Sequence, residues 1–97
     1  MEVIHKPQLT HLQIGNSFKT MQVTGQAGTS MPPHHSTGEA IIIVQEGQAL
    51  LKMPDAEHVL EKGSCFIIPA GKEHSLKIVT DFKAVAVMAV DSEINFI

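Results

Sequence analysis

Turn-forming residues punctuate this chain so often that few folds remain open to it. Clusters at Gly15-Asn16-Ser17, Gly25 to Gly28, Pro32-Pro33, Glu46-Gly47, Pro54-Asp55, Lys62-Gly63, Pro69-Ala70-Gly71 and Thr80-Asp81 leave segments of about five to nine residues, which is the length of a β-strand. The runs between them are β-branched and apolar: Phe18 to Thr24, Ile41 to Val44, Gln48 to Met53, His58 to Leu60, Cys65 to Ile68, Ser75 to Val79 and Phe82 to Val90. No stretch of the chain carries a helical stripe that outscores period two. The reading is all-β, with seven or eight short strands and almost no helix. In the last segment Phe82, Ala84, Ala86, Met88 and Val90 share one face and Lys83, Val85, Val87 and Ala89 the other. Both faces are largely apolar, so the strand needs cover on both sides, from a barrel interior and from a second sheet or a subunit interface. A homodimer is expected on that ground.

Composition narrows the function classes. The 97 residues, 43% of them apolar and 18% charged, suit a single globular domain over residues 1–97, with no repeat and no low-complexity linker. A net charge of −3 from seven basic and ten acidic residues offers no basic footprint, so nucleic acid is not expected as a partner. Four Phe with no Trp or Tyr leave little for stacking bases or sugars. The start of the chain lacks a basic region followed by an apolar run, and no apolar stretch approaches the ~20 residues that cross a bilayer. A cytoplasmic protein with no membrane partner is expected. One cysteine, Cys65, excludes an intramolecular disulfide; it lies in an apolar run with no neighbouring cation and reads as a buried, inert thiol.

The most specific stretch is Gly63-Ser-Cys-Phe-Ile-Ile-Pro69-Ala-Gly71-Lys-Glu-His74. Gly63 closes a hairpin, Cys65 to Ile68 cross a sheet, Pro69 stops the pairing and Gly71 turns the chain so that His74 opens the next strand. This stretch resembles the second motif of the cupin superfamily, apart from Ile78 where that motif ends in Asn. The first cupin motif, two His one residue apart and then a Glu before a strand ending in Gly, is partly present in Pro33-His34-His35-Ser36-Thr37-Gly38-Glu39-Ala40 to Gly47. Counted back from Gly47 without gaps, the His positions fall on His34 and Ser36 and the Glu position on Ala40. With a spacing one residue longer they fall on Pro33 and His35, again with Ala40. Glu39 is one residue out of register, which points it away from a pocket unless a bulge re-aims it.

The resemblance spans residues 28 to 90 and implies a single-domain antiparallel jelly-roll β-barrel. It also implies a pocket that holds iron, manganese, nickel, zinc or copper, which the family binds through three His and one carboxylate. On this chain that set shrinks to His34, His35 and His74. The plainer alternatives are a His74 hydrogen-bonded inside the barrel mouth and a surface pair at His34 and His35. His58, His5 and His11 read as surface residues. Three functions follow: a small cupin holding a divalent transition metal through a reduced His set and acting on a small organic molecule, a metal-free small-molecule binding or sensory module, or a structural homodimer with a vestigial pocket.

Overall fold

The computed structural model describes residues 6–97, so His5 lies outside the described residues. Eight strands follow in order: β1 (Gln8–Ile14), β2 (Phe18–Gly25), β3 (Ser30–Ser36), β4 (Ala40–Met53), β5 (Ala56–Glu61), β6 (Cys65–Ile68), β7 (His74–Ala89) and β8 (Ile94–Phe96). All pairings are antiparallel. There is no helix among the described residues, hence none long and apolar enough to cross a membrane.

Two strands are twice the expected length. The breakers at Glu46-Gly47 and Thr80-Asp81 are corners rather than hairpin turns: β4 and β7 stay paired from Ala40↔Met88 to Lys52↔Ser75, with the register slipping between Val44 and Ala49. Bulges bend and twist a strand pair without ending it, which is how a strand passes from one sheet of a sandwich to the other. The front halves and back halves of β4 and β7 therefore serve different sheets. One sheet is β1-β2-β7-β4-β6, using the C-terminal half of β7 and the N-terminal half of β4. The other is β8-β3-β7-β4-β5, using the remaining halves. Antiparallel strands curled into two facing layers make a jelly roll.

The core lies between the layers. Phe82, Ala84, Ala86 and Met88 are buried on the inner face of β7, as their alternation predicts, and meet Val44, Leu51, Leu60 and Ile68 from the facing strands. Ile78 is fully buried, so the position where the family carries Asn is here a core residue. Cys65 is exposed, contrary to the expectation of a buried thiol. On β6 it is Ile68 that is buried and Phe66 that packs on the core, so strict alternation turns Cys65 and Ile67 outward.

Candidate functional site

The site is built where β3 and β7 pair at the mouth of the barrel. Met31 pairs with Leu76 and His34 with His74, so β3 uses three residues where β7 uses two. That extra residue is accommodated at Pro32-Pro33, which have no N–H to offer a ladder and belong at a bulge. The bulge resets the alternation: Met31, His34 and Ser36 are all buried. It settles which of two adjacent histidines turns inward. His34 lines the internal cavity; His35 pairs with Asn95 on β8, is half-buried and does not line it.

His74 arrives from the opposite direction. Gly71 has φ of +71°, a conformation that favours glycine, and its N–H donates to the Ser36 carbonyl at 2.8 Å. That bond ties the β6–β7 loop to β3 beside His34. Lys72 Nζ bonds the Asp55 carboxylate at 3.0 Å, holding the same loop to the β4–β5 turn. Asp55 is fully exposed and solvent screens the pair, so it positions the loop more than it stabilises the fold.

The two rings meet edge to face with centroids 4.2 Å apart, and Phe96 from β8 packs on His34 at 5.0 Å. His34 Nδ1 lies 2.7 Å from the Pro32 carbonyl and His74 Nδ1 2.9 Å from the Lys72 carbonyl. A carbonyl only accepts, so in both rings Nδ1 carries the proton and Nε2 the lone pair. Neither Nε2 has a protein partner among the described residues, and no buried side-chain nitrogen or oxygen there is left unpaired. Each lone pair is therefore accessible; both histidines line the internal cavity, and His74 also borders an outer groove with Pro33, Lys52, Met53, Pro54, Glu73 and Ser75.

The cavity has a volume of about 50 Å³. Its polar lining is His34, Ser36 and His74, and the rest is apolar, including Met31, Ala40, Leu51, Leu76, Met88 and Ile94. His34, Ser36 and Ala40 all line it, which is the gap-free alignment counted back from Gly47. Glu39 is exposed and outside the lining, as its offset by one residue predicts. His11 is exposed, and His58 is half-buried against Phe66 with centroids 4.6 Å apart. Residues that the sequence did not flag close the pocket from the sides: Leu9 of β1 and Ile94 of β8. Neither sits in a run with legible alternation.

Burial pushes both imidazoles below the ordinary histidine value of 6.5; the carbonyl acceptors at Pro32 and Lys72 oppose this, and neighbouring histidines add to it. The pair is neutral at physiological pH. A group whose folded value is depressed contributes stability that is fully present above its unfolded value and lost as pH falls through the folded one. Stability should therefore be flat above pH 6.5, then fall with a slope of at most about 1.4 kcal/mol per pH unit per histidine, and level off below the lowered value. Urea midpoints across that range check it. The double variant His34→Gln/His74→Gln should lose most of the slope; an undiminished slope would assign it to other groups.

The cupin domain family matches residues 21–90. This chain belongs to the cupin family. Among solved structures, an RmlC-like cupin from Desulfovibrio desulfuricans is 25% identical, with a TM-score of 0.78 over 92% of this chain and 90% of that one. A cupin superfamily protein from Desulfitobacterium hafniense is 17% identical, with a TM-score of 0.80 over 94% and 84% of the two chains. The DMSP lyase DddQ from Ruegeria pomeroyi is 21% identical at a TM-score of 0.83, but the match covers 93% of this chain and only 51% of the lyase. No curated protein matches the chain.

The cupin fold raises the question of a metal ion, and the donor set answers it. The cavity offers two imidazole nitrogens and no carboxylate, and no group of three or more His, Cys, Asp or Glu comes together among the described residues. Catalytic zinc sites use three protein ligands. A divalent cation here would also be desolvated in an apolar chamber with no counter-charge, which is strongly unfavourable. The residues present do not fit a resident divalent ion.

Proposed function

We propose that this cupin is a metal-independent binding module whose chamber takes a small molecule with a largely apolar body and an acidic O–H. The observation that carries the reading is the pair of Nε2 lone pairs, His34 and His74, in an otherwise apolar cavity. Two neutral imidazoles accept hydrogen bonds, and an acid that transfers its proton to one of them leaves an imidazolium paired with a carboxylate. Apolar walls strengthen that pairing because no water competes. The cavity of about 50 Å³ is a third of the ~150 Å³ that accommodates benzene in an engineered core. A ligand larger than a few heavy atoms would have to displace Ile94 or Leu9. The exposed, unpaired Cys65 thiol suits a reducing, cytoplasmic setting.

A second reading has its own support: both rings present the tautomer that a metal ligand needs, with Nδ1–H fixed on a carbonyl. On that reading the pair would be a weak two-histidine site for iron, manganese, nickel, zinc or copper, loaded only when metal is supplied and never a resident centre. Thermal shifts separate the two. With chelator present, propionic acid, glycolic acid or phenol should raise the Tm of the wild type, and His74→Ala should abolish the rise. Stabilisation by Zn(II), Ni(II) or Mn(II) chloride alone, reversed by chelator and lost in His74→Ala, would replace the first reading with the second.

A further inference from the structure

The chamber beside the two histidines is small, about 50 Å³, and a larger space lies against it. A groove of about 500 Å³ opens between β1, β2 and β8. Leu9, Met88 and Ile94 line both spaces, so those side chains form the partition. The ladders show that chamber and groove share one surface. Lys19 pairs with Met88 and Met88 with Ala40, while His11 pairs with Met21 and Met21 with Ala86. Directly paired residues point to the same face of a sheet. Lys19 and His11 therefore continue, towards the edge strand β1, the inward rows whose Met88, Ala40 and Ala86 line the chamber. Lys19 is half-buried, and its Nζ donates to the Ser92 carbonyl at 2.6 Å. Two of the three donors of an ammonium are left without a protein acceptor among the described residues. Glu93 borders the same groove and is exposed, without pairing with Lys19.

We propose that the molecule this chamber binds carries a second acidic group, a carboxylate seated on the Lys19 ammonium in the groove, with its apolar chain passing Ile94. The proposal rests on the chamber reading above for the first acidic group. Each part of such a molecule meets its complement: Nε2 lone pairs for the acidic O–H, apolar walls for the methylenes, and spare ammonium donors for the carboxylate. Ile94 is the part of the partition best placed to yield. It opens the three-residue β8, an edge strand that pairs with β3 alone and is only half-buried there, and local opening is least costly where few contacts hold an element. The other groove that touches the chamber, at His74, offers Lys52, whose ammonium already faces the Glu57 carboxylate at 3.9 Å. Lys19 makes no ion pair among the described residues, which favours the groove at β1, β2 and β8.

Calorimetric titration at neutral pH with chelator present tests this on pairs of acids of equal length: succinate and butyrate, adipate and hexanoate, suberate and octanoate. At the length that reaches both sites the dicarboxylate should bind about tenfold tighter than its monoacid, the effect of a hydrogen bond to a charged group in a partly exposed place. Lys19→Met, which keeps the aliphatic stem and drops the ammonium, should remove that preference, and a folded Lys19→Met that retains it overturns the proposal. Lys52→Met should keep the preference; its loss there would send the second carboxylate past His74 instead, also overturning the proposal. His74→Ala should weaken both acids of a pair together. Equal affinities within every pair, both lost in His74→Ala, would remove the second site and leave the chamber reading standing. Binding of no acid would overturn the chamber reading and this inference with it. Dicarboxylate binding that needs Lys19 but not His74 would place the molecule in the groove alone, against both. If Lys19→Met does not fold, salt decides on the wild type: the preference should shrink as sodium chloride screens the ammonium, and a preference indifferent to salt overturns the proposal.

Discussion

Gly47→Ala should cost the protein a large part of its stability, whereas the chemically identical change Gly63→Ala should cost it far less. Both glycines have positive φ, +83° and +90°, so each substitution forces an alanine into the left-handed region at about 1–2 kcal/mol. Only Gly47 meets anything further. A Cβ there would lie 2.8 Å from the Asp81 carbonyl carbon and 2.9 Å from Phe82 Cα, with the Asp81 carbonyl oxygen closer still, whereas around Gly63 there is nothing within 4 Å. The atoms in the way are backbone, at the corner where β4 and β7 cross together from one sheet to the other, and neither strand can move without breaking register with its other partners. Strain plus a backbone clash puts Gly47→Ala at about 4 kcal/mol or more, a large part of the ~5–15 kcal/mol that holds a domain of this size. At ~4–8 °C per kcal/mol that is a drop of ~16–32 °C or more in thermal melts, against ~4–16 °C for Gly63→Ala. A Gly47→Ala melt within a few degrees of Gly63→Ala would show that the corner can open.

The same corner shows what the sequence carried and what it did not. Strand-length segments were legible because Gly, Pro and Asp interrupt every apolar run, and the buried face of β7 was legible because Phe82, Ala84, Ala86 and Met88 alternate. A breaker by itself does not say whether the chain turns back or bends and continues. Glu46-Gly47 and Thr80-Asp81 bend because β4 and β7 pair with each other on both sides of them, a long-range fact. His74 was marked by its glycine and proline punctuation. The choice between His34 and His35 was not, because the parity of β3 changes at Pro32-Pro33 only when Met31 and His34 take Leu76 and His74 as partners. The short β8 left no readable pattern, yet it supplies Ile94 to the cavity and Phe96 to the His34 ring.

Restoring the two missing ligand positions should convert this pocket into a metal site. Ser36 and Ala40 stand where the resemblance places the second His and the Glu, and both line the cavity with His34 and His74. Ser36→His/Ala40→Glu would then supply three imidazoles and one carboxylate. Loss of a ligand's supporting hydrogen bond alone changes metal affinity ten- to a hundredfold, so two new direct ligands should raise affinity for Zn(II) or Mn(II) by about a thousandfold or more. Without metal the variant should be less stable than the wild type, because a carboxyl in an apolar chamber must stay protonated or desolvate its charge, and the added volume strains a cavity of about 50 Å³. With metal at about a hundred times its dissociation constant, ~2.7 kcal/mol returns, visible as a rise in Tm of ~11–22 °C. Elemental analysis should find one equivalent per chain in the double variant and far less after His74→Ala is added. A folded double variant that takes up no metal would mean that Ser36 and Ala40 do not converge with the histidine pair on one centre, and that the wild-type chamber has a geometry of its own.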